Sequence, residues 1–309
     1  MEAAMEQTQH LSGNELLSHV QTFVDDYSIE TTTHDEAKFD EISAELRPGT
    51  RVYVAHVPGT PIDDVVSLAL RFKDAGFTPV PHIIARKLSS AEQLEGALKR
   101  LQAGGVDQAL CIAGDIAVDD NAFDSSLEVL QTGLFGECKF AEVGVAAHPE
   151  GSAAIGEARV AEALAGKAEF AKTAPFKLRF VSQFGFDARP FFDWERETSA
   201  QGIDLPIHVG LAGPASLKQL ARFAVVCGVG ASARMLKSRT SATANLLKSK
   251  APDDLVVEFA RHQAANPATR IRSPHIFAFG GVAKSARWIN AVRDGRIKFN
   301  RRETGFDVV

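Results

Sequence analysis

Short apolar runs alternate with amphipathic segments along most of this chain. The runs are typical of strands buried on both faces, and the segments between them repeat apolar residues at helical spacing. The pattern predicts strands at 27–30, 52–56, 78–83, 108–112, 142–147, 178–183, 206–209 and 273–279. It predicts helices at 15–24, 37–46, 61–75, 91–103, 125–134, 155–170, 190–201, 216–227 and 285–292, with Asn14 as the cap of the first.

The regular order of these elements predicts the fold class. Strand and helix alternate, which implies parallel strands joined by helical crossovers. Eight such units favour closure into a single (β/α)8 TIM barrel of the α/β class over an open doubly wound sheet. No Gly-x-Gly-x-x-Gly fingerprint follows the first strand, which also argues against the open sheet.

Two segments lie outside the regular alternation. The first helix is an N-terminal extension, and residues 230–262 form an insertion between strands 7 and 8. The glycine-rich run at 228–232 follows a helix and is more typical of a helix stop than of a phosphate cradle. We expect one barrel domain over residues 1–309, with 1–13 frayed.

Composition and charge narrow the class of ligand. Of the 309 residues, 45% are hydrophobic and 24% are charged, as in an ordinary soluble globular protein. The net charge of -5 gives no reason to expect a nucleic acid or an anionic membrane as a partner. A small-molecule ligand fits better, and a homo-oligomer is left open.

Cysteine usage and the N-terminal residues bear on the compartment. Cys111, Cys138 and Cys227 are odd in number and widely spaced, which indicates neither a disulfide framework nor a zinc site. Residues 1–20 lack the basic start and apolar stretch of a signal peptide, and no segment approaches the roughly 20 apolar residues of a membrane span. We therefore expect a cytoplasmic protein.

Polar residues collect at the predicted strand ends. In a parallel barrel the ligand lies beyond the carboxyl ends of the strands, so side chains there face one mouth. Asp115, after Gly114 at the end of the buried run 108–112, is the first candidate for chemistry. The residues expected at this mouth are Glu30, His56, His82, Asp115, His148, Glu150, Gln183, Gly210 and Phe279.

Simpler interpretations of these candidates stay open. Asp115 is equally suited to cap the next helix. Glu30 could be a solvated strand end, His82 a core histidine, and Gln183 a buried amide bridging backbone groups instead of a reader of a flat heterocycle. The histidines lack the spacing of strong metal motifs, so no metal site is predicted. No lysine ends a predicted strand, which argues against Schiff-base chemistry.

Several strand-end motifs occur together and in order over residues 25–290. They are Ser28-Ile29-Glu30, Pro79-Val80-Pro81-His82, Ala113-Gly114-Asp115, Val145 to Glu150, Ser182 to Asp187, Gly210-Leu211 and Lys218-Gln219. In this order and placement the chain resembles the methylenetetrahydrofolate reductases, a family of flavoprotein TIM barrels.

The resemblance implies a reaction and roles for particular residues. NADH or NADPH would reduce FAD, and the flavin would pass hydride to 5,10-methylenetetrahydrofolate to give 5-methyltetrahydrofolate, a step of one-carbon metabolism and methionine biosynthesis. Glu30 would be the general acid at folate N10, with a pKa raised by burial, and Asp115 would favour the cationic iminium. Gln183 would bind the pterin edge. Leu217 falls where the family commonly has a phenylalanine that packs on substrate.

The resemblance also implies a flavin site, with departures. The residues placed at the flavin are His56, His82, Gly114, Asp115, Phe123, Ala146, His148 and Lys167. The family's arginine before Gly-Asp is Ala113 here, an arginine beside Lys167 is Gly166, and a second histidine is replaced near Ser152. These departures motivate two alternatives, direct hydride transfer from NADH to folate without flavin and a folate-binding barrel without catalysis. NADH is favoured over NADPH because no arginine cluster for a 2′-phosphate is evident.

Overall fold

A computed structural model describes residues 11–114, 121–151, 156–226 and 249–309. Within these ranges, eight parallel strands close into a barrel. The barrel strands are β1 (Ser28–Thr32), β2 (Arg51–Ala55), β3 (Thr78–Ile84), β4 (Gln108–Ile112), β5 (Glu142–Ala147), β6 (Lys177–Gly185), β7 (Ile207–Ala212) and β10 (Ile271–Phe277). Each of these strands pairs with its neighbour in this order, and β10 closes the barrel against β1. The predicted (β/α)8 fold is confirmed.

Helices connect and surround these strands. They are α1 (Gly13–Asp25), α2 (Phe39–Glu45), α3 (Ile62–Asp74), α4 (Ala91–Ala103), α5 (Ser126–Gln131), α6 (Leu134–Glu137), α7 (Glu157–Ala171), α8 (Arg189–Ala200), α9 (Leu217–Val226), α10 (Asp253–Ala265) and α11 (Val282–Arg293). Helix α4 is an example of how the sequence determines where a helix begins and which face it buries. Leu94, Leu98 and Leu101 recur at helical spacing and are buried, and the Ser90 hydroxyl accepts a hydrogen bond from the backbone N–H of Gln93.

The N-terminal extension is a helix packed on the outside of the barrel. Leu16, Val20 and Phe23 of α1 are fully buried, and the Phe23 ring stacks on Phe259 of α10 with centroids 5.6 Å apart. Ser12 caps this helix in a capping box with Glu15. The predicted cap at Asn14 is wrong because Ser12 has both the extended backbone and the acidic partner three residues on.

Of the insertion predicted at 230–262, the described part begins with β9 (Ser249–Lys250) and continues into α10, and residues 230–248 lie outside the described residues. Strand β9 pairs with β8 (Ala215–Ser216), which precedes α9, in a two-stranded ribbon. The glycine-rich run 228–232 and Cys227 lie outside the described residues. A C-terminal hairpin of β11 (Ile297–Phe299) and β12 (Phe306–Val308), which the sequence pattern did not predict, follows α11. Whether the whole chain is one domain stays a prediction.

Side chains fill the barrel interior, and a buried ion pair lies at the amino ends of the strands. An apolar layer of Tyr53, Val80, Leu110 and Val181 lies inside it. Below this layer the fully buried guanidinium of Arg179 donates to the hydroxyl of Tyr53 (3.2 and 3.1 Å). It also donates to the side-chain oxygen of Gln108 and forms an ion pair with Glu142. Ligand chemistry is therefore left to the opposite, carboxyl end.

Two strand ends differ from the prediction in ways that matter for that end. Strand β1 continues to Thr32, so Glu30 lies within the strand instead of ending it. Strand β6 continues to Gly185, and its pairing with β7 is irregular after Val181. Ser182 stabilises this bulge, since its hydroxyl accepts from the backbone N–H of Gly210 (2.8 Å) and donates to the carbonyl of Gln183 (3.0 Å). A bulge re-aims the side chains around it.

Candidate functional site

Glu30 lies between two imidazoles inside the barrel mouth. Its Oε2 atom is 3.6 Å from Nε2 of His82 on β3 and 3.8 Å from Nε2 of His275 on β10. The Glu30 side chain keeps 22% of its surface exposed, against 8% and 1% for the two histidines. Neither Nε2 atom has a hydrogen-bond partner among the residues that the structure describes. The site is a carboxylate that opens to solvent and is backed by two buried rings.

His275 is the main residue of this site that the sequence interpretation missed. Its Nδ1 atom lies 2.9 Å from the hydroxyl of Ser28, directly across the β1–β10 pairing, and its ring lies 4.4 Å from that of Tyr53. The available signal was the alternation of Ser273, His275 and Phe277 along the last strand, which places all three on one face. The sequence analysis predicts functional side chains only at the end of that strand.

The electrostatics of Glu30 differ from the expectation. Burial by itself raises the pKa of Glu30, but the attraction of His275 and His82 outweighs it and holds the pKa below its ordinary value. The expected net rise from burial is therefore wrong, because two imidazoles line the same pocket. Burial lowers the pKa of His82 to about 4, with repulsion from His275 and His56 adding to it. Near neutral pH the ligand-free site thus holds an ionised Glu30 and a neutral His82.

His56 belongs to the neighbouring strand end and is bound to its own loop. Its Nε2 atom lies 2.8 Å from the carbonyl of Thr60, and burial lowers its pKa. The Lys87 ammonium group donates to the backbone carbonyls of His56 and Val57 (3.2 and 2.8 Å). His56 is therefore a buried support beside His82.

The carboxyl ends of β5 and β6 meet across the mouth from these histidines. Gln183 is half-buried, and its Oε1 atom accepts a hydrogen bond from the backbone N–H of Phe184 (3.1 Å), which orients the amide. A Cβ atom placed on Gly185 would lie 2.6 Å from the Phe191 ring and 2.8 Å from Oε1 of Glu150, so the lack of a side chain here lets both groups approach β6. Half-buried His148 accepts the Gly151 N–H at its carbonyl (2.9 Å). Glu150, in the loop after β5, therefore lies beside the carboxyl end of β6.

At the carboxyl end of the barrel, Gly210 of β7 lies very close to the backbone of β6. A Cβ atom on Gly210 would lie 2.6 Å from the carbonyl oxygen of Ser182 and 2.7 Å from the backbone of Gln183. Gly210 is thus required by strand packing at the bulge. It contributes backbone, and no side-chain chemistry, to the mouth.

The residues expected at a flavin lie around β3, β4 and β5, and several are already engaged. The buried Lys167 of α7 donates to the carbonyl of Ala146 (3.3 Å), and burial lowers its pKa. Phe123 packs against the main hydrophobic core. The Gly114 carbonyl accepts a hydrogen bond from Arg86 (3.0 Å). Asp115 and Ser152 lie outside the described residues.

A flavin dinucleotide needs hydrogen-bond donors for its diphosphate. The basic side chains around β3, β4 and β5 donate to backbone carbonyls instead. Arg86, which the sequence interpretation missed, also donates to the carbonyl of Asp124 (3.0 Å). Arg86, Lys87 and Lys167 each donate to backbone carbonyls. Charge-assisted contacts to phosphate are among the strongest that a protein makes. The described residues do not by themselves supply the donor set for FAD.

Aromatic side chains cover the β6, β7 and β10 side of the mouth. We call Phe184, Phe186, Phe223, Phe277 and Phe279 the mouth aromatic cluster. Leu217 packs against this cluster as a half-buried aliphatic side chain. Phe279 lies just beyond β10, and its backbone adopts a left-handed conformation with φ of 47°. Of this cluster, the sequence pattern predicts only Phe279 at the mouth.

Two further features of the described residues bear on the kind of site. In the described ranges, no group of three or more histidine, cysteine, aspartate or glutamate side chains is arranged to hold a metal ion. In the same ranges, no helix has the length and apolar character that a membrane crossing requires.

Fold and site together define a (β/α)8-barrel protein whose open end presents a carboxylate backed by imidazoles and flanked by aromatic rings. Residues 62–267 match the family model described as methylenetetrahydrofolate reductase. Because the match covers more than half of the chain, the chain belongs to the methylenetetrahydrofolate reductase family. Glu30 and His275 lie on either side of the matched range, and His82 and Gln183 lie within it.

Solved structures of other proteins are similar to this chain. An uncharacterised protein from Clostridium thermocellum, described as binding two copies of 5-methyl-5,6,7,8-tetrahydrofolic acid, is 12% identical with a TM-score of 0.51, over 89% of this chain and 99% of its own. Proteus mirabilis N-acetylneuraminate lyase is 12% identical with a TM-score of 0.39, over 65% of this chain and 67% of its own. At 12% identity the likeness to the Clostridium thermocellum protein shows a shared fold and no more.

Proposed function

We propose that this chain reduces 5,10-methylenetetrahydrofolate to 5-methyltetrahydrofolate, with NADH or NADPH as the source of hydride. The observation that carries the proposal is Glu30, a carboxylate at the open end of the barrel with His82 and His275 behind it. Membership of the methylenetetrahydrofolate reductase family supports it. The folate bound by the Clostridium thermocellum protein of similar fold is consistent with a folate ligand here.

In this proposal Glu30 donates a proton to folate N10, and the five-membered ring opens to a reactive iminium. The low pKa of Glu30 makes it a ready donor once it is protonated, but leaves it ionised in the free protein near neutral pH. Substrate covers the exposed part of the side chain, and this desolvation raises the pKa of Glu30. Glu30 takes up this proton from solvent through the exposed part of its side chain as substrate binds.

After proton transfer the Glu30 carboxylate is again negative and lies beside the cationic iminium. A fixed negative charge in a pocket of low dielectric stabilises such a cation. Asp115 is proposed to add to this effect. Gln183, oriented by its bond from the Phe184 N–H, is proposed to bind the pterin edge, with Leu217 packing at the rim.

The route of the hydride separates two candidates. In the flavin route a bound FAD would supply the hydride chemistry, and the residues that would hold it are His56, His82, Gly114, Asp115, Phe123, Ala146, His148 and Lys167. In the direct route NADH delivers hydride to the folate. The direct route is favoured by the engagement of Arg86, Lys87 and Lys167 with backbone carbonyls.

Turnover and a visible spectrum test these proposals together. Freshly purified protein is assayed for NADH oxidation and for formation of 5-methyltetrahydrofolate in equal amounts. Activity with no flavin absorbance, kept after exhaustive dialysis, supports the direct route, whereas a flavin spectrum that bleaches with NADH supports the flavin route. Folate binding without turnover would leave the non-catalytic barrel as the function.

The variant Glu30→Gln tests the role of the carboxylate. It keeps the size of the side chain and removes the proton that the reaction needs, so we expect folate reduction to fall by about 10²- to 10⁴-fold with folate binding nearly intact. Glu41→Gln, at an exposed position of α2, is the matched control and should keep the parent rate. Equal rates for Glu30→Gln and the parent would remove Glu30 from the mechanism.

A further inference from the structure

Tyr53 of β2 is the ring on which both imidazoles of the Glu30 site pack. Its ring centroid lies 4.4 Å from that of His275, with planes 58° apart, and 6.1 Å from that of His82, which it meets edge to face. Tyr53 is opposite Glu30 in the pairing of β1 with β2, so the two side chains emerge on the same, inner face of the barrel. One fully buried ring therefore contacts both imidazoles from the strand position beside the carboxylate.

The hydroxyl of Tyr53 is held from the closed end of the barrel. Arg179 donates to it from Nε and from Nη2, at 3.2 and 3.1 Å. The guanidinium is itself held, since it donates to Gln108 (3.1 Å) and forms an ion pair with Glu142. Because a guanidinium is planar and its donors form a rigid fork, two bonds to one oxygen restrict the direction in which the tyrosine points. The position of this ring is therefore set by side chains of β4, β5 and β6.

No hydrogen bond among the described residues fixes the two Nε2 atoms beside Glu30. The distances from Oε2 of Glu30 are 3.6 Å to His82 and 3.8 Å to His275, both longer than a hydrogen bond. Neither Nε2 atom has another partner in the described part of the chain. Ser28 lies at Nδ1 of His275, the other nitrogen of that ring. Packing must therefore hold these two distances, and Tyr53 is the ring that contacts both imidazoles.

The two distances matter because the charge of Glu30 depends on them. The attraction of His275 and His82 outweighs the effect of burial and lowers the pKa of Glu30. Attraction between charges weakens as their separation grows. His56, just after β2, adds by repulsion to the low pKa of His82. A change in the position of the imidazoles therefore changes the pH at which the carboxyl holds a proton.

We propose that Tyr53 is a positioning residue, which fixes the distances of the two imidazoles from the Glu30 carboxylate. Arg179 acts through it from the closed end of the barrel. Tyr53 itself touches no reacting atom. The consequence for catalysis rests on the proposed function, in which Glu30 is the acid, whereas the arrangement itself is a property of the ligand-free protein.

Two substitutions of Tyr53 separate the ring from its hydroxyl. Tyr53→Phe keeps the ring and removes the bonds from Arg179, whereas Tyr53→Met fills the space with a flexible apolar chain and removes the rigid ring. The titration of Glu30 is followed in the ligand-free full chain by the NMR signal of its side-chain carboxyl carbon, identified by its absence in Glu30→Gln. Because methionine keeps the pocket apolar and leaves the imidazoles unsupported, we expect the midpoint to rise by about half to one pH unit in Tyr53→Met, and by less in Tyr53→Phe.

The other tyrosine of the chain provides the matched control. Tyr27 is also buried, and its hydroxyl donates to the side-chain oxygen of Asn290 (3.1 Å), but it packs in the main hydrophobic core instead of the barrel interior. Tyr27→Phe and Tyr27→Met should lower the free energy of unfolding without moving the Glu30 midpoint. If Tyr53 served packing alone, Tyr53→Met would show this same pattern, and that result would overturn the proposal.

The kinetic profile separates this inference from the proposed function. If both hold, the limb of kcat/KM that falls with rising pH moves in the variants together with the Glu30 midpoint. Moved midpoints in a protein that does not reduce folate would keep the positioning role and overturn the reductase proposal. Unmoved midpoints with turnover in the parent would do the reverse. If thermal unfolding shows that Tyr53→Met is not folded, Tyr53→Phe decides, and a midpoint equal to that of the parent would overturn the role.

Discussion

His82 faces Glu30 across 3.6 Å at the open end of the barrel, and burial keeps the imidazole neutral at a pH where an exposed histidine begins to take up a proton. The folded pKa of His82 is about 4, below its ordinary value of 6.5. The unfolded chain therefore binds a proton at His82 as the pH falls below 6.5, and the folded chain does not until about 4. Stability is lost through this window.

The variant His82→Gln should reduce that loss. Between pH 7 and pH 5 we expect the parent to lose about 2 kcal/mol more unfolding free energy than the variant, because the variant has no imidazole to protonate. Urea unfolding at the two pH values measures the difference. His34→Gln, at an exposed position, should behave like the parent. A parent and variant with parallel pH dependence would contradict the neutral state of His82.

Replacing His275 should change how activity depends on pH. The pKa of Glu30 is held down by His275 and His82 against the effect of burial. In His275→Asn the imidazole beside Glu30 is gone, so the pKa of Glu30 should rise. Because Glu30 acts as an acid and must be protonated, the limb of the rate profile on which activity falls with rising pH should move to higher pH. The profile of kcat/KM against pH measures this movement.

Ser28→Ala provides a graded control for the His275 prediction. It removes the hydroxyl 2.9 Å from Nδ1 and keeps the imidazole beside Glu30. A smaller movement of the same limb is expected. An unmoved profile in His275→Asn would mean that another group sets the titration.

The Glu195 carboxylate, on the outside of the barrel, forms hydrogen bonds whose contribution to stability should be lost in acid. Burial would raise its pKa, but hydrogen bonds from His262, Thr269 and the Arg270 backbone lower it to about 2. This stability is present above the ordinary pKa of 4.5 and is lost as the pH falls toward 2. Glu195→Gln should cost about 2 kcal/mol at pH 7, allowing for solvent screening, and the cost should vanish near pH 2.

The matched control for Glu195 lies on the same helix. Glu197 is exposed, so Glu197→Gln should change the unfolding free energy little at either pH. Urea unfolding of both variants at neutral and acidic pH tests the prediction. A cost for Glu195→Gln that does not depend on pH would show that its hydrogen bonds matter and its charge does not.

Replacing the buried Arg179 should cause a large loss of stability. The variant Arg179→Met leaves Glu142 and the Tyr53 hydroxyl without their cation at the closed end of the barrel, which should cost about 3 to 5 kcal/mol. Adding Glu142→Leu removes the stranded carboxylate and should recover much of this. Urea unfolding of the single and double variants measures the recovery. A double variant less stable than the sum of the two single changes would contradict it.

Much of the fold follows from hydrophobic periodicity. The predicted bounds of α4, β4 and β5 agree with the structure, because each is a run of one period with a clear stop signal. The end of β1 was placed too early, since the threonines after Glu30 look like a turn in sequence while their backbone pairs with β2. The C-terminal hairpin was missed because strands of three residues are too short for a pattern.

The candidate site was predictable only in part. Glu30, His82 and Gln183 could be chosen because polar residues stand out at the ends of buried runs. The role of His275 could not, since it depends on the pairing of the first strand with the last, 247 residues apart between Ser28 and His275. The direction of the Glu30 pKa depends on this partner too, so burial alone gave the wrong sign.

The sequence by itself determined that this chain closes a parallel barrel and gathers polar strand ends at one mouth, because alternation of apolar runs and amphipathic helices is a local property. Tertiary structure decided which side chains meet there. Closure of β10 against β1 brought His275 to Glu30, and the turn after β10 set Phe279 on Phe223. Packing turned Phe123 into the core and Lys167 onto a backbone carbonyl. Such contacts depend on distances between elements far apart in the chain, which no local pattern contains.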